Sequence, residues 1–182
     1  MKMGDGGYRL AFNVQFATGM KSRVIYGTEV VNTLDPGTSP GMMKKVHLTL
    51  KYLNMEEPKT WNADSAYSAK ADVEEVAMLF PNCKYFSPAK PKKGIDPKKI
   101  QKNDSEAVIK WRETLETDEM KESYGQRCSS AEFSNAQTKN QGMAEFLVRG
   151  FKKVRGMVNL HAISHNITRY WDLSRKMSLQ TI

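Results

Sequence analysis

The sequence predicts an α/β domain whose strands lie in its first half and whose second half is helical. Three observations carry this. Apolar residues alternate with period two close to the N-terminus, they recur at spacings of three and four from residue 42 onward, and no proline interrupts residues 121–139. Hydrophobic residues make up 40% of the chain, enough for a core, and the 26% that are charged do not mark it as disordered.

In chain order, residues 8–18, YRLAFNVQFAT, put Tyr8, Leu10, Phe12, Val14 and Phe16 on one face of a strand. Residues 23–32, RVIYGTEVVN, read as a second strand, and the short, Gly-containing link GMKS predicts a hairpin. After the turn-rich LDPGTSPG, the spacing of Met42, Met43, Val46, Leu50 and Leu53 predicts a helix over 42–53. Residues 60–63 suit a short buried strand ending at Asp64. Ser65 or Ser68 then caps a helix over 71–80, which Pro81-Asn82 ends. Residues 84–89, KYFSPA, predict a further strand. A leading hairpin followed by alternating strands and helices implies a sheet of mixed direction.

Residues 90–102, KPKKGIDPKKIQK, form a lysine-rich, solvated loop, either a DNA-backbone contact or a plain surface insertion. From Ser105 the chain is helical almost to its end. Trp111 and Leu115 share a face, and Thr117, with an acidic first turn and Met120 three residues on, opens a helix through 121–139 that only Gly125 interrupts. A final helix covers about 156–171. No internal repeat is present.

The charge balance bounds the partner. Lys and Arg number 28 against 20 Asp and Glu, a net charge of +8, which favours a polyanion, nucleic acid first. Cys83 and Cys128, with no CxxC pair, exclude a disulfide scaffold and a cysteine-rich zinc site, and a reducing cytoplasm is the expected compartment. No apolar run is long enough to span a membrane, and MKMGDGGYRL lacks the apolar core of a signal peptide. An RNA-binding reading finds no aromatic-basic sheet motif.

Asp64 ends a strand and precedes a helix, where α/β sheets place catalytic groups; a helix cap is the plainer reading. Tyr124, Cys128, Glu132, Asn135 and Lys139 fall on one helical face, with Ser129, Ser130 and Ala131 leaving room for approach. Such a face is ordinarily just solvated. His161 and His165, four apart, could hold a metal, but without a third ligand packing is preferred. Arg149, Lys152, Lys153 and Arg155 make a DNA-backbone patch.

The segment from Tyr124 to Trp171 resembles the C-terminal block of bacterial insertion-sequence transposases of the DDE type, whose signature here is Tyr124, Arg127, Glu132 and Lys139. Val148-Arg149-Gly150, Lys153-Val154 and His165-Asn166 with Arg169 are similar to one branch of them. Upstream, the DGG and FNVQ segments and NADSAYS (62–68) resemble further blocks, in the same order. The resemblance implies an incomplete ribonuclease-H-like mixed sheet, its first, central strand missing, with helices packed on it and a helical C-terminal part. It implies one catalytic domain over 1–182, with a sheet part at 1–89, the lysine-rich loop at 90–104 and a helical part at 105–182. Carried over by residue, Asp64 and Glu132 are the second and third acids of the triad, catalytic and metal-binding. Tyr124, Arg127 and Lys139 hold DNA. Hard carboxylate oxygens suit two Mg²⁺ or Mn²⁺ ions, which activate an attacking oxygen and stabilise a leaving one.

The resemblance also implies DNA, the transposon ends, as partner and admits self-association, with no membrane and no small-molecule substrate. It implies a bacterial cytoplasmic, nucleoid-associated protein. The family's first acid sits just before the equivalent of Met1-Lys2-Met3, so the chain is expected to be a fragment, inactive alone, or a non-catalytic DNA-binding remnant. Asp5 and Asp35, the nearest substitutes, are explained as turn residues.

Overall fold

The computed structural model describes residue 7 and residues 11–91, 94, 96, 98–143 and 145–179, without the side chains of 128, 178 and 179. The chain divides into two compact units, Met1–Leu34 with Cys128–Ile182, and Asp35–Arg127.

In the first unit, β1 (Asn13–Thr18) pairs antiparallel with β2 (Ile25–Val31), in a register from Asn13↔Val31 to Ala17↔Gly27 that shifts to Thr18↔Ile25. This is the expected hairpin, its first strand running from Asn13 among the described residues; of the anticipated strand face, Tyr8 and Leu10 lie outside them. Its turn needs a glycine. A Cβ on Gly19 would come within 2.6 Å of the Ser22 hydroxyl and 2.9 Å of the Tyr26 ring. The Arg23 amide donates back to the Gly19 carbonyl at 2.7 Å, with Arg23 itself at φ 58°, a left-handed conformation uncommon outside glycine.

The second unit is built on α1 (Ser39–Tyr52), β3 (Thr60–Asn62), a single 3₁₀ turn (Ser65–Tyr67), α2 (Lys70–Leu79), β4 (Lys84–Phe86) and α3 (Glu106–Thr114). β3 and β4 pair in parallel, Thr60↔Lys84 to Asn62↔Phe86, joined through α2 as a small βαβ unit. Met43, Val73, Val76, Phe86, Val108, Trp111 and Leu115 make its buried core. Helix α1 starts three residues before the expected Met42, because Pro40 sits in the first turn, where its missing N–H costs nothing. Helix α2 is not capped by Ser65 or Ser68: Ala69 precedes it without a side-chain cap, and the one side-chain cap in this stretch is that of Asp64 on the 3₁₀ turn.

One carboxylate is ringed by donors. The Asp104 side chain, with no exposed surface, accepts from Arg112 Nε and the Gln101 amide at 2.8 Å and forms an ion pair with the partly exposed Lys70 Nζ at 2.6 Å. Burial opposes its ionisation, and the three donors outweigh it and hold the carboxyl down at about 2.

The expected single mixed sheet is not formed among the described residues. There are two separate two-stranded sheets, β1-β2 and β3-β4, because no described strand hydrogen-bonds to both pairs.

Helix α4 (Asp118–Thr138) opens as expected, with the Met120 amide donating to Thr117 Oγ1 at 3.2 Å and Asp118 and Glu119 in its first turn. It passes into a π-helical segment (Lys139–Met143) in which Gly142 takes φ 99°. The last helix, α5 (Phe151–Leu179), begins five residues before the expected Gly156 and runs well past Trp171. The backbone at Gly156 is helical, and Gly150, at φ 88°, stands just before the first residue of the helix. Val154 and Val158 of α5 pack with Val30 and Met143, bordered by Phe12, Val14, Phe16 and Phe146.

Candidate functional site

Asp64 is held at the end of β3 by bonds on both sides of it. Its Oδ1 accepts from the Ala66 amide at 2.7 Å, making it the N-cap of the Ser65–Tyr67 turn, so the cap reading of this residue is correct. Its carbonyl accepts from the Ser87 hydroxyl at 2.7 Å, just beyond β4. The turn is braced in its own unit. Tyr67 donates its phenol to Asp35 at 3.1 Å, and the Tyr85 hydroxyl lies 3.0 Å from the Tyr67 carbonyl. Burial, then the carboxylates of Asp35 and Asp64, push the Tyr67 phenol far above its ordinary range. Asp35 is therefore a bracing acceptor as well as a turn residue. Asp5 lies outside the described residues.

Glu132 belongs to the other unit. It is exposed on α4, and among the described residues it has neither a hydrogen bond nor an ion pair. Its neighbour Phe133 fixes that stretch of helix. The Arg23 guanidinium lies 4.6 Å from the Phe133 ring centroid, the Arg169 guanidinium 5.6 Å, and the His165 ring packs edge-on at 6.0 Å. Cation–π contacts of this kind contribute about 0.5–1 kcal/mol each, more when desolvated. Behind them Ser130, Ser134 and Thr138 are buried, with Ser134 and Thr138 back-bonded to the carbonyls one turn earlier. The small residues around Glu132 thus allow close packing on one face while the acid points outward.

His165, Asn166 and Arg169 form a clamp on the hairpin. His165 is fully buried, with Nε2 2.7 Å from the Arg23 carbonyl, so it is a packing histidine and not one of a metal pair with His161. Since a carbonyl only accepts, Nε2 carries the proton. The Asn166 amide pairs with one residue of β2 as a neighbouring strand would: Ile25 N–H donates to Oδ1 at 2.8 Å and Nδ2 donates to the Ile25 carbonyl at 2.8 Å. Arg169 Nε donates to the Ser22 carbonyl at 3.1 Å, and its other arm reaches Asp172. Two turns of helix back, Thr28 Oγ1 bonds to Asn159 at 2.7 Å. Periodicity marks α5 as a helix but says nothing of these contacts. The available signal was polar: Asn159 and Asn166 are seven residues apart and therefore share a face.

The expected DNA-contacting residues fall in two groups. Tyr124 and Arg127, half-buried on α4, stack on one another with the guanidinium 4.9 Å from the ring centroid; Lys139 is exposed where α4 becomes π-helical. Arg149, Lys152, Lys153 and Arg155 are all exposed around the first turn of α5, which holds no acid. Arg155 is partly engaged, 3.4 Å from Glu29 and stacked on Phe151. Cations at a helix N-terminus oppose the helix dipole, each costing roughly 0.3–1 kcal/mol. Lys152 and Lys153 therefore stand where stability alone would not put them.

Among the described residues, no three His, Cys, Asp or Glu side chains gather into a metal-binding group, and no helix is long and apolar enough to cross a membrane. No curated protein and no solved structure matches the chain. A family model for the transposase DDE domain matches residues 81–171, half of the chain. The matched span takes in Tyr124, Arg127, Glu132, Lys139, the basic turn and the hairpin clamp, while Asp64 precedes it. The chain belongs to the transposase DDE domain family.

Proposed function

We propose that the chain carries part of the catalytic apparatus of an insertion-sequence transposase with a ribonuclease-H-like plan, in which Asp64 and Glu132 are two of the metal-binding carboxylates. The observation that carries this reading is the availability of both acids on fixed backbone. Asp64 spends one oxygen on its cap and keeps the other. Glu132 has no internal partner among the described residues, although Phe133 beside it is gripped by two arginines. Their oxygens fit Mg²⁺ or Mn²⁺ in type. When bound, such a pair of ions activates an attacking hydroxyl and stabilises the departing oxygen in phosphoryl transfer.

The protein's own side chains supply the rest. Tyr124, Arg127 and Lys139, on the helix that carries Glu132 and its π-helical continuation, hold and neutralise phosphate, the Arg127 plane being oriented by its stack on Tyr124. Arg149, Lys152, Lys153 and Arg155 contact the DNA backbone, where the exposed amides of the α5 N-terminus add to the attraction for phosphate. The partner is DNA, and the ends of the mobile element are its specific form.

Mn²⁺ binding read by electron paramagnetic resonance tests the carboxylate assignment. Asparagine caps helices as well as aspartate, so Asp64→Asn keeps the fold of the turn while removing the charge. Asp64→Asn and Glu132→Gln are each expected to weaken Mn²⁺ binding at least about tenfold, the scale of losing one charged ligand. Undiminished binding in both variants refutes the assignment.

A further inference from the structure

Helix α5 is apolar on two opposite faces. Its inner face, Val154, Val158, Ala162, His165 and Arg169, is buried in the first unit. Its outer face carries Leu160, Ile163, Ile167 and Tyr170, spaced three and four apart, with Trp171 alongside; all five are between 56% and 72% exposed. A contiguous apolar strip of this size is rare on a monomer's surface and marks an interaction site. Between residues 156 and 171 the flanks of the strip are Gly156, Asn159, Ser164 and Thr168. The one charge in that span, Arg169, is buried and paired with Asp172. In a chain of net charge +8, an uncharged face suits neither DNA nor an acidic protein. The three-four spacing is that of a helix seam, and small flanking residues let a second helix approach closely.

We infer that this face binds a second copy of the chain, α5 against α5 and antiparallel, about a two-fold axis at Ile167. Self-association requires a patch that is its own complement, and the sequence meets that condition in this register. Ile167 meets its own copy, Ile163 faces Trp171, Leu160 faces Ser174, and Tyr170 faces Ser164, so large side chains stand opposite equal or smaller ones. The charges agree. Arg175 falls opposite Asn159, well away from Lys152 and Lys153, whereas a parallel pair would set each basic cluster against itself. The five exposed side chains, at on the order of 100–200 Å² each, offer roughly 700 Å² per copy, close to the about 800 Å² per partner of a standard interface.

Sedimentation equilibrium of the full chain, with and without Ile167→Glu, tests this, and circular dichroism verifies that the variant keeps its helix content. The wild type is expected to dimerise with concentration. Ile167→Glu brings two carboxylates together on the axis and is expected to weaken the dimer at least about 100-fold. Should that variant lose helix content, Ile163→Ser replaces it and is expected to weaken the dimer about tenfold. In a Cys83→Ser, Cys128→Ser background, Ile167→Cys is expected to form a disulfide-linked dimer on mild oxidation, because only a residue near the axis meets itself. A wild type that stays monomeric at 100-fold dilution and above alike, a dimer indifferent to the helix-retaining variant, or an Ile167→Cys dimer that does not cross-link would each overturn the inference.

Discussion

Asn166 offers a sharp test of the hairpin clamp. Its amide satisfies both backbone groups of Ile25 at 2.8 Å, across a sequence separation of 141 residues. Asn166→Ala leaves a part-buried N–H and C=O without partners, at about 1–3 kcal/mol each. Partial access to water puts the expected loss at about 2–4 kcal/mol, which at roughly 2–4 °C per kcal/mol lowers the melting temperature by some 5–15 °C. Asn166→Asp separates hydrogen bonding from packing. At pH 7 its carboxylate still accepts from Ile25 N–H but sets a negative oxygen against the Ile25 carbonyl, so it should be at least as damaging as alanine. When protonated it becomes a donor again. Its folded pKa is thus raised above the unfolded value of about 3.9. The stabilisation is present below that value and is lost as pH rises through the folded pKa. Thermal melts followed by circular dichroism at pH 4 and pH 7 are the assay. An aspartate variant as stable as the wild type at pH 7, or one that gains nothing relative to wild type at pH 4, refutes the paired-amide account.

Asp104→Ala removes a charge-assisted hydrogen bond from the Arg112 guanidinium, whose side chain is 5% exposed, and should cost about 1.5–3 kcal/mol in a urea titration of the wild-type and variant chains. The folded pKa of Asp104 is depressed to about 2, so its contribution is present above the unfolded value and disappears as pH falls from about 4 towards 2; acid melts of the wild type should steepen over that interval relative to Asp104→Asn. The double change Lys152→Glu, Lys153→Glu should reduce the slope of log K against log salt for duplex DNA by at least about 1.8, two phosphate contacts at roughly 0.9 each. It should also stabilise the helix by about 0.3–1 kcal/mol per site by placing acids at its positive end; an unchanged slope removes both lysines from the interface. Gly19→Ala forces a Cβ to within 2.6 Å of Ser22 Oγ and should cost about 1–3 kcal/mol, visible as faster hydrogen exchange in β1 and β2.

The sequence makes most of the local structure legible. Alternation locates the hairpin, and the spacing of Val73 and Val76 locates α2 to within a residue at each end. Boundaries fail where a residue type has two uses, as with Pro40, a turn residue by composition that sits in the first turn of α1, and where the apolar spacing thins out, as before Gly156 in α5. Period two reveals that a segment is extended but not which strand it pairs with, and among the described residues the strands make two pairs with no strand joining them. For the site, residue type and spacing leave Asp64 as a cap and Glu132 on an ordinarily solvated face; the resemblance to insertion-sequence transposases is what singles them out. The supports are long-range and invisible to any window: Phe133 between Arg23 and Arg169, and Asn166 on Ile25.

The clamp also sets an order of events during synthesis. The unit Asp35–Arg127 is one continuous stretch and can pack as soon as it has emerged. The hairpin cannot: a two-stranded ribbon is marginal in water, and the residues that hold it, His165 to Arg169, lie more than 130 residues after β2. At roughly 5–20 residues per second, translation leaves β2 waiting about 7–30 s for its helix. For that time Val30 and its apolar neighbours are bare, and a nascent chain stalled or cut short before residue 165 should be a substrate for chaperones or proteases.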